Sequence, residues 1–279
     1  MLTDKLIEFY NANGYVVVPG LFSQAEVADL LDHYMTLRKS PQPRDDTGVD
    51  IGSEDPIKRY PRMIQPQRYD ERTRHWMLDP RLNKCLTGLL GNEPFAAQTM
   101  VYFKPAGSRG QALHQDNYYL RVAPGTCMAA WLALDDCDDD NGCMRVVPGS
   151  HTWDILCTID ADTKISFTSV TVPLAEGQDS VPVHMKAGDV LFFNGSIVHG
   201  SNPNKTSDRF RRALVGHYVE GTSEQVSKGY QPLVRMDGSL LELPRSELGG
   251  ATCGVWVEKD GSPAIEMSGV ERMEQRKGE

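Results

Sequence analysis

Apolar residues recur at helical spacing through the first ninety positions and give way to strand-like runs beyond them. Leu2, Leu6, Ile7 and Tyr10 form one helical face, with Thr3 placed to cap it and Asn13-Gly14 to end it. Tyr15-Val16-Val17-Val18 reads as a short β-branched strand stopped by Pro19-Gly20. Ser23-Gln24-Ala25-Glu26 has the form of a capping box, in which hydroxyl and carboxylate each satisfy a free backbone donor of the other residue. The helix it opens puts Val27, Leu30, Leu31 and Tyr34 on one side. Residues 40–72 are polar, with prolines at 41, 43, 56, 61 and 66, and predict an ordered or semi-ordered loop too long for a mere connection. A third helix is expected from Asp79-Pro80, with Leu82, Leu86, Leu89 and Leu90 inward and Gly91 as its stop.

Strands are expected at 95–103, 128–134, 143–147, 181–185, 190–193 and 212–219, separated by turn signals such as Asn141-Gly142 and Pro148-Gly149. Helices followed by many short strands predict a mainly β protein with flanking helices, a sandwich or jelly roll rather than a βαβ sheet. The absence of GxGxxG argues the same way. Asp237-Gly238 and Asp260-Gly261, each flanked by apolar residues, predict hairpins, and the charged last ten residues are expected to fray. The reading is one domain over 1–279: helical support and lid loop (1–94), strand-rich core (95–220), C-terminal hairpins and tail (221–279).

Charge narrows the partners. Lys+Arg total 29 against 38 Asp+Glu, a formal net charge of -9, which argues against nucleic acid or an anionic membrane as a partner. No run approaches the ~20 apolar residues of a bilayer span. The first residues lack a secretion pattern and the last three are not a peroxisomal signal, so a cytoplasmic location is expected. Cysteines at 85, 127, 137, 143, 157 and 253, with no CxxC pair, suggest reduced thiols rather than a disulfide framework or a thiolate zinc site.

The candidate chemistry centres on Leu113-His114-Gln115-Asp116. In an extended segment His114 and Asp116 point to one side and can grip one metal ion together. His199, after the apolar run ending in Phe192-Phe193, is the expected third ligand. Two histidines and one carboxylate leave coordination positions open, the pattern of a non-haem Fe(II) oxygenase. A lone HxD is a weak signal, but Arg209, Arg211 and Arg212 follow His199 by about a dozen residues. A guanidinium there can hold the far carboxylate of a dicarboxylic co-substrate in a two-pronged hydrogen bond.

With these marks the chain resembles the phytanoyl-CoA dioxygenase (PhyH) family of Fe(II)/2-oxoglutarate oxygenases. The marks are Gly14-Tyr15-Val16-Val17, His114-Gln115-Asp116, Asn141-Gly142-Cys143, Val147-Pro148-Gly149-Ser150-His151, Gly188-Asp189 and His199-Gly200-Ser201 with Asn204-Lys205-Thr206 and the arginines. The resemblance implies a double-stranded β-helix, the cupin-like jelly roll, with Fe(II) as cofactor and 2-oxoglutarate as co-substrate. It implies His114, Asp116 and His199 as iron ligands and Arg211, with Arg209 as fallback, as the 2-oxoglutarate anchor. Ser201 would share that carboxylate, and Gln98, Met100 and Trp131 would line the co-substrate pocket, Gln98 as a donor. His151 is expected to be structural. Asp116 fills the position that halogenating relatives leave small, so hydroxylation is the expected outcome.

Lys58 and Arg62 in the lid loop, with Asn117 and Tyr118 after the metal motif, are the candidate substrate contacts. They suit a small polar or anionic metabolite, which with dioxygen completes the expected partners. A non-catalytic jelly roll that binds metal or ligand, and a cupin-type metal enzyme that does not use 2-oxoglutarate, are the competing readings.

Overall fold

The structure is a computed structural model, and it describes residues 2–39, 49–50, 52–246 and 252–268. Helices α1 (Asp4–Asn13), α2 (Gln24–Leu37), α3 (Pro56–Arg59), α4 (Glu71–Met77) and α5 (Pro80–Leu90) precede most of the strands, and α6 (Asn117–Leu120) is a single turn among them. The strands are β1 (Tyr15–Val18), β2 (Met63–Ile64), β3 (Phe95–Tyr102), β4 (Gln111–His114), β5 (Cys127–Ala133), β6 (Met144–Val146), β7 (Ile159–Asp160) and β8 (Val170–Thr171). They continue with β9 (Val181–Val183), β10 (Val190–Asn194), β11 (His199–Ser201), β12 (Ala213–Val219), β13 (Leu233–Arg235), β14 (Leu240–Leu241), β15 (Cys253–Lys259) and β16 (Ser262–Ser268).

Two antiparallel sheets make the jelly roll. The larger runs β1-β10-β5-β12-β3-β13-β14 with β2 on β3, and the smaller runs β4-β11-β6-β9. The larger sheet is apolar on both faces, which is why β5 reads as an unbroken apolar run. Its residues Met128, Ala130 and Leu132, with Phe192, Leu214 and Tyr218, pack under the helices beside Leu82, Leu86 and Trp76. The alternate residues Ala129, Trp131 and Ala133, with Met100, Leu191, Phe193 and Val215, face the smaller sheet and its Met144, Val146 and Val183. The side-chain period of 2 therefore decides which residues of each strand reach the space between the sheets.

The capping box forms: Ser23 and Glu26 exchange their bonds at the start of α2. Thr3 occupies the cap position of α1, but its hydroxyl makes no cap bond. Asp79-Pro80 opens α5, and Gly91, at φ 80°, closes it. Both Asp-Gly turns join hairpins, β13–β14 and β15–β16. The expected long loop is partly structured: α3, β2 and α4 lie within or against it, and Asp70 caps α4 by accepting from the Thr73 backbone N–H. These pieces are too short, and too close to prolines, to show a period. Positions 40–48 of that loop and the charged last ten residues lie outside the described residues.

The cysteine expectation needs correction. Cys157 and Cys253 form a disulfide across 96 residues, while Cys85, Cys127, Cys137 and Cys143 are free and buried. The β15–β16 hairpin returns to the segment after His151, where Trp256 meets Trp153 edge to face at 5.1 Å and its indole N–H donates to the Pro173 carbonyl at 3.0 Å. Spacing along the chain could not show that return.

Candidate active site

The two histidines are direct cross-strand partners, His199 of β11 opposite His114 of β4, with ring centroids 4.1 Å apart. Each ring is fixed by its Nδ1. His114 Nδ1–H donates to the Ala112 carbonyl at 2.9 Å, and His199 Nδ1–H to the Ile197 carbonyl at 3.0 Å. That tautomer leaves both Nε2 lone pairs facing the pocket. Asp116 does not sit on the strand, as the alternation argument supposed. It begins the α6 turn in right-handed helical geometry, and the turn brings Oδ1 to 3.6 Å from His114 Nε2 and 3.7 Å from His199 Nε2. Gln115 points the other way and ties the turn down, donating to the Ser196 carbonyl at 2.7 Å and accepting from the Leu156 N–H at 2.8 Å.

The electrostatics suit a cation. Burial alone would raise the Asp116 carboxyl, but the facing His199 and His217 rings and the His217 hydrogen bond outweigh it and hold the acid below its usual range. Burial first, then the His199 ring, lowers His114 to about 4, so its ring is neutral near pH 7. The ligand atoms of His114, Asp116 and His199 lie within 4.8 Å of one another, a donor set that fits iron. Gln111 Nε2 lies 3.0 Å from His114 Nε2, so this amide must turn aside when the lone pair takes a metal.

His217 was missed by the sequence reading. It is 5% exposed, and its Nε2 lies 3.2 Å from Asp116 Oδ2, the oxygen turned away from the other two histidines. Its Nδ1 lies 3.3 Å from Gln98 Nε2, because Gln98 and His217 are paired across β3 and β12. A signal existed: from Arg211, alternation along the strand continues through Ala213 and Val215 to His217 on the same face. Gln98 Nε2 also lies 3.9 Å from the Met100 sulfur, so its amide N–H groups face His217 and Met100 at the cavity wall.

The three arginines separate cleanly. Arg211 is 3% exposed, lies with its guanidinium carbon 5.2 Å from the centre of the Trp131 ring, and donates from Nε to the Gly142 carbonyl at 3.2 Å. Arg209 is a two-pronged surface partner of Asp138 at 2.6 and 2.9 Å, and Arg212 pairs with Asp135. Ser201 Oγ accepts from Lys104 Nζ at 3.0 Å and lies 3.5 Å from Arg211 Nη2, so its own proton is free to donate into the pocket. Lys104 is 8% exposed and also donates to the carbonyls of Gly142 and Asn202. Gly142 is at φ +73°, and a Cβ there would strike the Asn202 carbonyl.

His114, Asp116, His199, His217, Lys104, Ser201 and Arg211 line one cavity of about 580 Å³, whereas Arg209 and Arg212 do not reach it. Lys58, Arg62, Gln98, Met100 and Trp131 reach it as expected. Asn117 and Tyr118 do not line it. Residues 117–120 form a helical turn, in which Asn117 Oδ1 accepts from the Val122 N–H, and Tyr119 takes the wall position instead. His151 lies away from the cavity, against Gly14.

A jelly roll holding two histidines and a carboxylate beside a buried arginine defines the class of non-haem iron, 2-oxoglutarate-dependent dioxygenases. The model of the phytanoyl-CoA dioxygenase (PhyH) family matches residues 10–213, and the chain belongs to that family. Phytanoyl-CoA dioxygenase 1 of Oryza sativa subsp. japonica is 27% identical over 264 residues, covering 81% of this chain and 92% of that protein. A phytanoyl-CoA dioxygenase domain-containing protein 1 homolog of Dictyostelium discoideum is 35% identical over 145 residues, 50% of this chain and 48% of that protein. Among solved structures, EctD from S. alaskensis with 2-oxoglutarate and 5-hydroxyectoine superposes with TM-score 0.65 at 22% identity, covering 80% of this chain and 78% of that one. The epimerase SnoN in complex with Fe3+, alpha ketoglutarate and nogalamycin RO gives 0.63 at 24%, covering 79% and 84%. No helix among the described residues is long and apolar enough to cross a membrane.

Proposed function

We propose that the protein hydroxylates an unactivated C–H bond of a small polar or anionic metabolite, with His114, Asp116 and His199 as the iron ligands. The observation that carries this reading is the convergence of those three ligand atoms at the floor of a cavity that also holds Arg211. Iron bound there supplies the chemistry that couples conversion of 2-oxoglutarate to succinate and carbon dioxide with insertion of an oxygen atom from dioxygen into the substrate. Arg211 and the Ser201 hydroxyl would hold the far carboxylate of 2-oxoglutarate, with Trp131 and Met100 packing its chain. Lys104 Nζ, which donates to Ser201 Oγ, would keep that hydroxyl turned toward the co-substrate. His217 and, through it, Gln98 hold Asp116 to one oxygen on the metal side, which keeps coordination positions open.

The substrate class rests on the mouth of the cavity. Lys58 and Arg62 make no ion pair with a carboxylate among the described residues, whereas neighbouring Arg109 is taken by Asp55 at 3.0 Å. Tyr60, Tyr102, Tyr119 and Phe167 form walls around them. The Ser108 hydroxyl lines the cavity and is buried without a hydrogen-bond partner among the described residues, a place for a substrate polar group. An acyl-CoA, the substrate class in the relatives' names, is the second reading. A screen of organic acids, amino-acid derivatives and acyl-CoA thioesters by substrate-dependent succinate formation separates the two. Stimulation by acyl-CoA alone would reverse the choice, and no succinate with any addition would favour a binding protein. Cytoplasmic residence belongs to the same proposal, supported by the four free cysteines and opposed by the Cys157–Cys253 bond. Cell fractionation tests it.

A further inference from the structure

We propose that Asp139, Cys143 and His184 form a second metal site, at the β9 edge of the smaller sheet, for a borderline divalent ion of the zinc class. The ligand atoms of these three side chains lie within 4.8 Å of one another, and none of the three lines the cavity. Strand register brings two of them together: Met144 pairs with Val183 across β6 and β9, so the flanking Cys143 and His184 stand opposite each other. His184 Nε2 already lies 2.8 Å from Asp139 Oδ2.

The backbone that carries Asp139 is fixed in advance. Asp138 Oδ1 accepts from the N–H groups of Asp140 and Asn141, Asn141 Oδ1 accepts from the Asp138 N–H, and Arg209 clamps the Asp138 carboxylate from outside. Ligand atoms on a tetrahedral zinc ion stand about 3.6 Å apart, given bonds of roughly 2.1 Å to nitrogen and 2.3 Å to sulfur. Shifts of about 1 Å therefore complete the site, well within the rotamer freedom of exposed side chains. Those of Asp139 and His184 are 56% and 57% exposed, whereas Cys143 is 1% exposed. The sulfur would form the floor, the two outer groups the walls, and water the fourth ligand.

Charge and ligand type select the ion. One thiolate, one carboxylate and a neutral imidazole balance a dication, and the thiolate disfavours magnesium and calcium. Arg145 Nη1, 3.9 Å from Asp139 Oδ1, competes for the carboxylate and sets a moderate affinity. Burial, then the Asp139 charge, raises the Cys143 thiol, so binding would release its proton. The neighbouring Gly142 carbonyl accepts from Lys104 and Arg211, which puts the ion one peptide from the pocket floor, where it would act structurally by tying residues 138–143 to β9.

Cadmium titration of the full chain tests the site, read by the ultraviolet thiolate-to-cadmium charge-transfer band. The His114–Asp116–His199 group contains no sulfur and contributes nothing to that band, so the result is independent of the proposed function. The expected result is a saturable band with the intensity of one cadmium–thiolate bond per chain, which is displaced by zinc and lost in Cys143→Ser. His184→Ala and Asp139→Ala, which remove exposed side chains and leave the core intact, should each weaken binding by roughly tenfold or more. Absence of the band in the wild-type chain, or unchanged affinity in the His184→Ala and Asp139→Ala chains, would overturn the proposal.

Discussion

Replacing His217 by alanine probes the support of the metal carboxylate without touching a proposed ligand. The side chain is 7% exposed and gives Asp116 Oδ2 a hydrogen bond at 3.2 Å. A hydrogen bond to a charged group contributes about 1.5–3 kcal/mol, and loss of a group that orients a metal ligand costs roughly 10- to 100-fold in metal affinity. The two scales agree, because 10- to 100-fold corresponds to about 1.4–2.8 kcal/mol. The assay is anaerobic titration with Fe(II) in the presence of 2-oxoglutarate, read by the visible charge-transfer band. His217→Ala should shift the midpoint by that factor and raise the share of 2-oxoglutarate consumed without substrate oxidation. His217→Gln, whose amide nitrogen can stand near the position of Nε2, should recover most of the loss. The reasoning is refuted if the alanine variant binds iron like the wild type, or if glutamine is no better than alanine.

Arg211→Ala should raise the KM for 2-oxoglutarate roughly thirty-fold or more, since removing one partner of a buried charge pair costs about 2–5 kcal/mol, whereas Arg209→Ala should leave steady-state kinetics unchanged. Reducing the Cys157–Cys253 bond, or replacing both residues by serine, should cost about 2–5 kcal/mol, toward the upper end for a 96-residue span, visible as a lower Tm. Glu26 is lowered to about 2, first by the Arg81 hydrogen bond and then by the Ser23 N–H, so its contribution is full above about pH 4.5 and is lost as pH falls toward 2. With 40% and 42% of the Arg81 and Glu26 side chains exposed, that contribution is at most about 1 kcal/mol; Glu26→Gln should be less stable than wild type at pH 7 and equal to it near pH 2 in urea unfolding.

What the sequence revealed follows from which interactions are local. Helix caps at Ser23 and Asp79, the Asp-Gly hairpins and the buried run of β5 are short-range patterns, and each is where the sequence put it. The central strands were legible because both of their faces are buried, so they read as short unbroken apolar runs bounded by turn signals. The α6 turn was not, because four residues cannot show a period, and with it went the substrate assignments to Asn117 and Tyr118. His217 was hidden for another reason: its partner is 101 residues away, and only the pairing of β12 with β3 and the bend after His114 bring them together. The disulfide and the Asp139–Cys143–His184 group are likewise products of long-range return, with no mark in local spacing.

The central claim is that three side chains share one iron ion while Arg211 holds the far end of 2-oxoglutarate. Crystals grown anaerobically with Fe(II) and 2-oxoglutarate test it through an anomalous difference map at the iron edge. The account predicts one strong peak within bonding distance of His114 Nε2, Asp116 Oδ1 and His199 Nε2, with the co-substrate running from it to the Arg211 guanidinium. A peak elsewhere, or a 2-oxoglutarate carboxylate bound away from Arg211, would contradict it.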